Sequence, residues 1–217
     1  MSLSLNWRRL RTYPNAVTLL RPICTGPFVW LCVQAESASA SSATWACVGA
    51  VGLFGLIAAT DLLDGWLARR LRQVSGFGRW LDHLCDVGFI LTALGFFVTR
   101  AVVPWWFPAS IAWAFSLYAI NAWCWRAAQP PPSLLGSRLG HLGGVLYFAA
   151  VGLVTMQWCT GETLLPARGL HGIFMLLALL AFVSGGEHLM QVMRRRLPIS
   201  PEAPTAGMPT QSDCSAP

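Results

Sequence analysis

Lysine is absent from this 217-residue chain, and all fifteen of its basic residues are arginine. Charge of either sign is scarce: 11% of residues are charged and 55% hydrophobic, with a mean hydropathy of +0.54. That balance excludes an ordinary soluble domain, in which about a quarter of residues are charged. No CxxC pair and no Cys/His metal spacing is present. The seven cysteines stand singly, mostly inside apolar runs, and read as small core residues. No cleavable signal peptide is evident, because Arg21 and Pro22 interrupt the first apolar run. No internal repeat is visible, which argues against a transporter built from inverted halves. The net charge of +6 lies on a chain with membrane-like composition. It therefore points to cytosolic loops and anionic headgroups rather than nucleic acid.

Aspartate is the most informative scarcity. The chain has five, and four of them (Asp61, Asp64, Asp82 and Asp86) fall within one short stretch; the fifth, Asp213, lies in a polar tail. Carboxylates beside apolar segments are expensive at membrane depth and mark a functional site. Asp61 and Asp64 are i,i+3 on one helix face, and Asp82 and Asp86 are i,i+4 on another. Gly65 and Ala68 leave room for a partner helix or a ligand beside the first pair. Gly78 does the same one turn before Asp82.

The hydropathy pattern predicts an all-α, polytopic membrane protein with six spans. Residues 1–13 read as a basic, amphipathic interfacial segment anchored by Trp7, the alternative being an unstructured arm. The membrane domain covers 14–197, and 198–217 read as a disordered tail. The spans are placed at about 14–34, 43–68, 80–99, 104–127, 140–158 and 170–193, with a Ser/Ala loop over 36–44. Asn15, Thr18 and Arg21 recur at i+3 and make one polar stripe. Arg21 lies about 9 Å along the helix from Asn15, near the interface, where its guanidinium can snorkel or meet a phosphate. Thirteen arginines fall on the side of the termini, and only Arg100 and Arg168 on the other. The positive-inside rule then puts both termini and the acidic stretch in the cytosol.

Four carboxylates in one small site need neutralising, because like charges and desolvation both oppose ionisation. Oxygen ligands favour hard divalent ions, Mg²⁺ first, then Mn²⁺ or Ca²⁺. Four acids suit two ions about 3.5–4 Å apart, an arrangement used for in-line attack at phosphorus. One carboxylate must be able to accept a proton. Arg69, one turn after Gly65 on the same face, can meet substrate phosphates. A cation transporter or channel with intramembrane acids is the competing class. It accounts for the carboxylates but not for Gly65, Ala68, Arg69 and Gly78 at their offsets. A scaffolding protein with a degenerate site is a third reading, opposed by the intact set of aspartates.

The stretch Asp61-x2-Asp64-Gly65-x2-Ala68-Arg69-x8-Gly78-x3-Asp82-x3-Asp86 resembles the full signature of the CDP-alcohol phosphotransferase family. Pro14-Asn15-Ala16-Val17-Thr18 is similar to that family's N-terminal nucleotide-contact segment. The resemblance implies that Asp61, Asp64, Asp82 and Asp86 hold two Mg²⁺ or Mn²⁺ ions, with Asp86 accepting the proton of the attacking hydroxyl. It implies that Gly65, Arg69 and Ser75, with Asn15, Ala16, Val17 and Thr18, hold the CDP part of the donor. The implied reaction moves a phosphatidyl group from a CDP-linked lipid, CDP-diacylglycerol first, to a small alcohol acceptor with release of CMP. The acceptor can itself be phosphorylated. Choline/ethanolamine-type and inositol/serine-type transfer are the alternatives within the family. A homodimer in the bacterial cell membrane, among membrane lipids, is implied as well. Asp64 to Arg69 looks like bacterial phosphatidylglycerophosphate synthases, which usually carry Pro after the third Asp and Lys after the fourth. Here those residues are His83 and Val87. Arg126, Arg138 and His141 flank the loop between the fourth and fifth spans and are candidate partners of a phosphorylated acceptor. Positive-inside topology explains the two arginines equally well. His83 reads as an interfacial histidine or as an orienter of Asp82. The tryptophans read as interfacial belt and core.

Overall fold

A computed structural model describes residues 13–37, 40–70, 76–125, 138–161 and 164–196. The regular structure among them is six α-helices: α1 Tyr13–Ser37, α2 Ala40–Arg70, α3 Gly76–Thr99, α4 Trp106–Trp125, α5 Arg138–Thr160 and α6 Ala167–Arg196. A chain this apolar has little choice, because a helix satisfies its backbone polar groups within the segment and needs no water. Of the expected interfacial segment, 1–13, residues 1–12 lie outside the described residues and Tyr13 opens α1; the tail after Arg196 lies outside as well.

Four stretches are long and apolar enough to cross a bilayer: Ser42–Asp61, Trp80–Thr99, Leu139–Thr160 and Ala167–Met193. The other two helices fall below that measure. Pro22 and Pro27 interrupt α1, which also carries Asn15 and Arg21, and four of the twenty residues of α4 are tryptophan. One boundary differs from the sequence expectation. The Ser/Ala stretch over 36–44 is helical up to Ser37 and again from Ala40, so helix reaches much further into it than predicted. Small residues suit a close turn, and each added helical residue satisfies one more backbone pair.

Contacts at the helix ends fix the direction of packing. Arg100, just past α3, donates to the Glu36 carboxylate near the end of α1 at 2.7 Å. The Cys47 thiol on α2 donates to the Cys159 carbonyl on α5 at 3.4 Å, and Trp158 Nε1 to the Cys32 carbonyl at 3.2 Å. These pairs gather the ends of α1, α3 and α5 with the start of α2. The opposite end therefore collects the starts of α1, α3 and α5 and the finish of α2. At 1.5 Å per residue, Arg21 lies about 22 Å below Glu36 along α1. α1 packs mainly on α2 and also on α3, while α4 pairs with α6.

The core is aromatic. Phe54 on α2 stacks on Phe148 of α5 at 4.9 Å, and Phe28 on α1 meets Phe89 of α3 edge-on at 5.4 Å. Phe107 on α4 stacks on Phe174 of α6 at 4.7 Å. Small residues make the close approaches possible. A Cβ at Gly152 would stand 2.7 Å from the Phe54 ring, and one at Gly185 would collide with the Trp113 ring. Outside, Leu19, Ile23, Val48, Leu176, Leu179 and Met190 are exposed. So many large apolar side chains on one surface suit lipid rather than water. Cys24, Cys32, Cys47, Cys85 and Cys159 form no disulfide, with Cys32 buried and the other four partly so. That agrees with their reading as small packing residues.

Candidate active site

Asp61 lies about two and a half turns before the end of α2, and Asp82 and Asp86 lie in the first three turns of α3. Because α2 and α3 run in opposite directions through a short connection, the three meet at one end of the bundle. Their carboxylate oxygens lie within 4.8 Å of one another. Side-chain exposure falls from 45% at Asp61 to 35% at Asp82 and 24% at Asp86, so the cluster opens toward α2 and deepens along α3.

Arg21 joins this group from α1. Its side chain is wholly buried. Nη2 donates to Asp61 Oδ1 at 2.9 Å, and Nη1 donates to Asp82 Oδ1 at 3.0 Å and to Asp86 Oδ1. Sequence reasoning had it snorkelling or meeting a phosphate. The structure instead turns it inward onto the acids. A buried guanidinium must be paired, and its planar fork can serve carboxylates on two helices at once. Thr18, one turn earlier, is also buried, and the Thr25 hydroxyl donates to the Arg21 carbonyl at 2.9 Å.

Among the described side chains, three carboxylates outnumber the one guanidinium they face. The donors are hard oxygens, close together and partly open to solvent. That set fits a hard divalent cation such as Mg²⁺ or Mn²⁺.

The remaining predicted residues divide as follows. Asp64, Gly65 and Arg69 belong to the last turns of α2, with side chains outside the described set. The same holds for Asn15, Ala16 and Val17 in the first turn of α1 and for Arg138 at the start of α5. Ser75 and Arg126 lie outside the described residues. His141 is exposed near the start of α5, at the cluster end of the bundle.

His83 points away from the acids. Its ring packs on Tyr118 at 4.7 Å and Phe115 at 5.5 Å, both on α4. Beyond it lies a polar group that the sequence reading missed. Asn121 Nδ2 lies 3.2 Å from His188 Nδ1 and donates to Gln191 Oε1 at 2.7 Å, and Tyr118 meets the His188 ring at 5.5 Å. Asn121 and His188 are buried. The available signal was Ser184, His188 and Gln191 at i, i+4 and i+7 on one face of an apolar helix, opposite a lone Asn in α4. This group joins α3, α4 and α6 at the same level as the acids.

A family model described as CDP-alcohol phosphatidyltransferase matches residues 11–184. A cardiolipin synthase (CMP-forming) of Streptomyces coelicolor is 32% identical over 58% of this chain and 57% of its own length. A CDP-diacylglycerol–glycerol-3-phosphate 3-phosphatidyltransferase of Pseudomonas fluorescens is 37% identical over 37% of this chain and 38% of its own. The enzyme of that name from Bacillus subtilis is 35% identical over 43% and 51%. The chain thus spans between about two fifths and three fifths of these relatives.

Proposed function

Because this chain belongs to the CDP-alcohol phosphatidyltransferase family, we propose that it transfers a phosphatidyl group from CDP-diacylglycerol to an alcohol, releasing CMP. The observation that carries the proposal is the convergence of Asp61, Asp82 and Asp86 from two helices at one end of an apolar bundle. Such a place suits a donor that is half nucleotide and half lipid. The acyl chains lie along the apolar helices, and the diphosphate meets the charged end.

Asp61, Asp64, Asp82 and Asp86 would hold two divalent ions, Mg²⁺ or Mn²⁺. Bound there, such ions neutralise charge developing on the phosphoryl oxygens and the leaving phosphate. The protein's own groups do the rest. Asn15, Ala16, Val17 and Thr18 on α1, with Gly65, Arg69 and Ser75, cradle the CDP part. Asp86, the deepest of the three described carboxylates, accepts the proton of the acceptor hydroxyl. That oxygen forms a bond to the lipid-linked phosphorus, the bond from the same phosphorus to the CMP phosphate breaks, and CMP departs with the electron pair. All six helices cross the membrane in this reading. The site faces the cytosol of a bacterial cell, and the protein works as a homodimer.

The test is CMP release by purified protein in detergent with Mg²⁺ and CDP-diacylglycerol, adding glycerol 3-phosphate, inositol phosphate and serine one at a time. One acceptor should accelerate release and appear in a lipid product. No release with any acceptor, and no binding of CDP-diacylglycerol, moves the cation-transporter reading ahead.

A further inference from the structure

Arg21 is not one of the residues assigned to ions, donor or base, yet it makes the most extensive set of contacts in the site. It is wholly buried and touches Asp61, Asp82 and Asp86 together. The oxygens it touches are the ones proposed above to bind divalent ions, and the inference rests on that assignment. A divalent ion sits about 2.0–2.6 Å from its oxygen ligands. Nη1 and Nη2 are 3.0 Å and 2.9 Å from Asp82 Oδ1 and Asp61 Oδ1, on carboxylates that cluster with Asp86. A divalent ion on those carboxylates would stand close to the guanidinium, and two cations at such range repel. Arg21 and the ion therefore compete for the same carboxylates.

We infer that Arg21 is a built-in counter-cation that exchanges with the divalent ions: it holds the carboxylates together when no ion is bound and withdraws when one enters. The local backbone permits such a movement. Pro22, the next residue, cannot donate a ladder bond, so the turn carrying Arg21 is less tightly tied than an ordinary helical turn. The movement also reaches the donor. Thr18 and the turn containing Asn15, Ala16 and Val17 lie one to two turns ahead of Arg21 on α1, so ion entry is coupled to the segment proposed to meet the nucleotide. Arg21 acts as a positioning residue in this account.

The measurement is Mn²⁺ affinity of the full-length protein in detergent after chelator treatment, by calorimetric titration, alongside the thermal midpoint with and without Mn²⁺. Arg21→Gln keeps a polar, planar head but removes the competing charge. It should bind Mn²⁺ about tenfold or more tightly than wild type, since a unit charge close to a divalent ion has been removed. Its midpoint should fall in chelator and rise further than that of wild type when Mn²⁺ is added, because stabilisation follows affinity. Arg21→Lys keeps the charge but loses the fork. It should bind Mn²⁺ more tightly than wild type by a smaller factor, which preserves the test if the glutamine variant does not fold. Equal or weaker Mn²⁺ binding by the variants, with the same midpoint rise as wild type, makes Arg21 a fixed structural tie and overturns the exchange. Absence of Mn²⁺ binding in wild type and variants alike would instead sink the metal assignment of the cluster, and the exchange with it.

Discussion

Asp86 and Asp82 stand one turn apart on α3, yet the proposed reaction asks different things of them. Both are ligand candidates, but only Asp86 is assigned the acceptor proton. Asp86→Asn keeps the shape and one oxygen while removing the base. Turnover should fall about 10²-fold or more, a usual general-base contribution, with donor binding largely kept. Arg69→Ala should do the reverse, weakening donor binding through loss of a phosphate partner. Steady-state CMP release together with CDP-diacylglycerol binding separates the two, and wild-type turnover in Asp86→Asn would remove it as base. At this scale the clustering of Asp61, Asp82 and Asp86 was legible because aspartate is so rare here and because period arithmetic places Asp82 and Asp86 on one face. Arg21 was only half legible. Counting rise along a helix gives its depth, but not the α2 and α3 carboxylates that packing brings beside it. Asn121, His188 and Gln191 were harder still. Single polar residues in apolar helices look alike in sequence whether they face lipid, core or each other.

The helices themselves were nearly all legible, because in an apolar chain length and hydropathy leave few alternatives. Their ends were not, as the Ser/Ala stretch shows: composition suited to a loop is equally compatible with helix when the turn is tight. Which helices touch was also hidden, since pairing depends on where small residues meet rings. Gly152 on α5 is such a place, against Phe54 of α2. It lies on the far side of the bundle's middle from the acids. Gly152→Val should push the two helices apart and cost about 1–3 kcal/mol, the usual range for overpacking. A lowered thermal midpoint in detergent with CMP release per folded molecule unchanged is the expected pair of results. An unchanged midpoint would mean that α2 and α5 do not pack as described. The Glu36–Arg100 pair at the other end is partly exposed and should matter little by comparison.

Across the whole molecule, one end carries the described acids, most of the described arginines and the proposed site, and the other carries Glu36 and Arg100. The charge asymmetry was readable from sequence because it follows from counting, and it predicts that residues 69–79 face the cytosol. A cysteine placed at position 75, in a background lacking the native thiols, should react with an impermeant reagent only from that side. Labelling from the opposite face would invert the topology. The fold gathers carboxylates from two helices around Arg21, and what those carboxylates bind decides the function. The most direct measurement is CMP release from CDP-diacylglycerol, with the responsive acceptor, before and after chelation. Activity should vanish in EDTA and return with Mg²⁺ or Mn²⁺, because the bare carboxylates cannot neutralise charge developing on the phosphoryl group. Full turnover in EDTA would contradict the account.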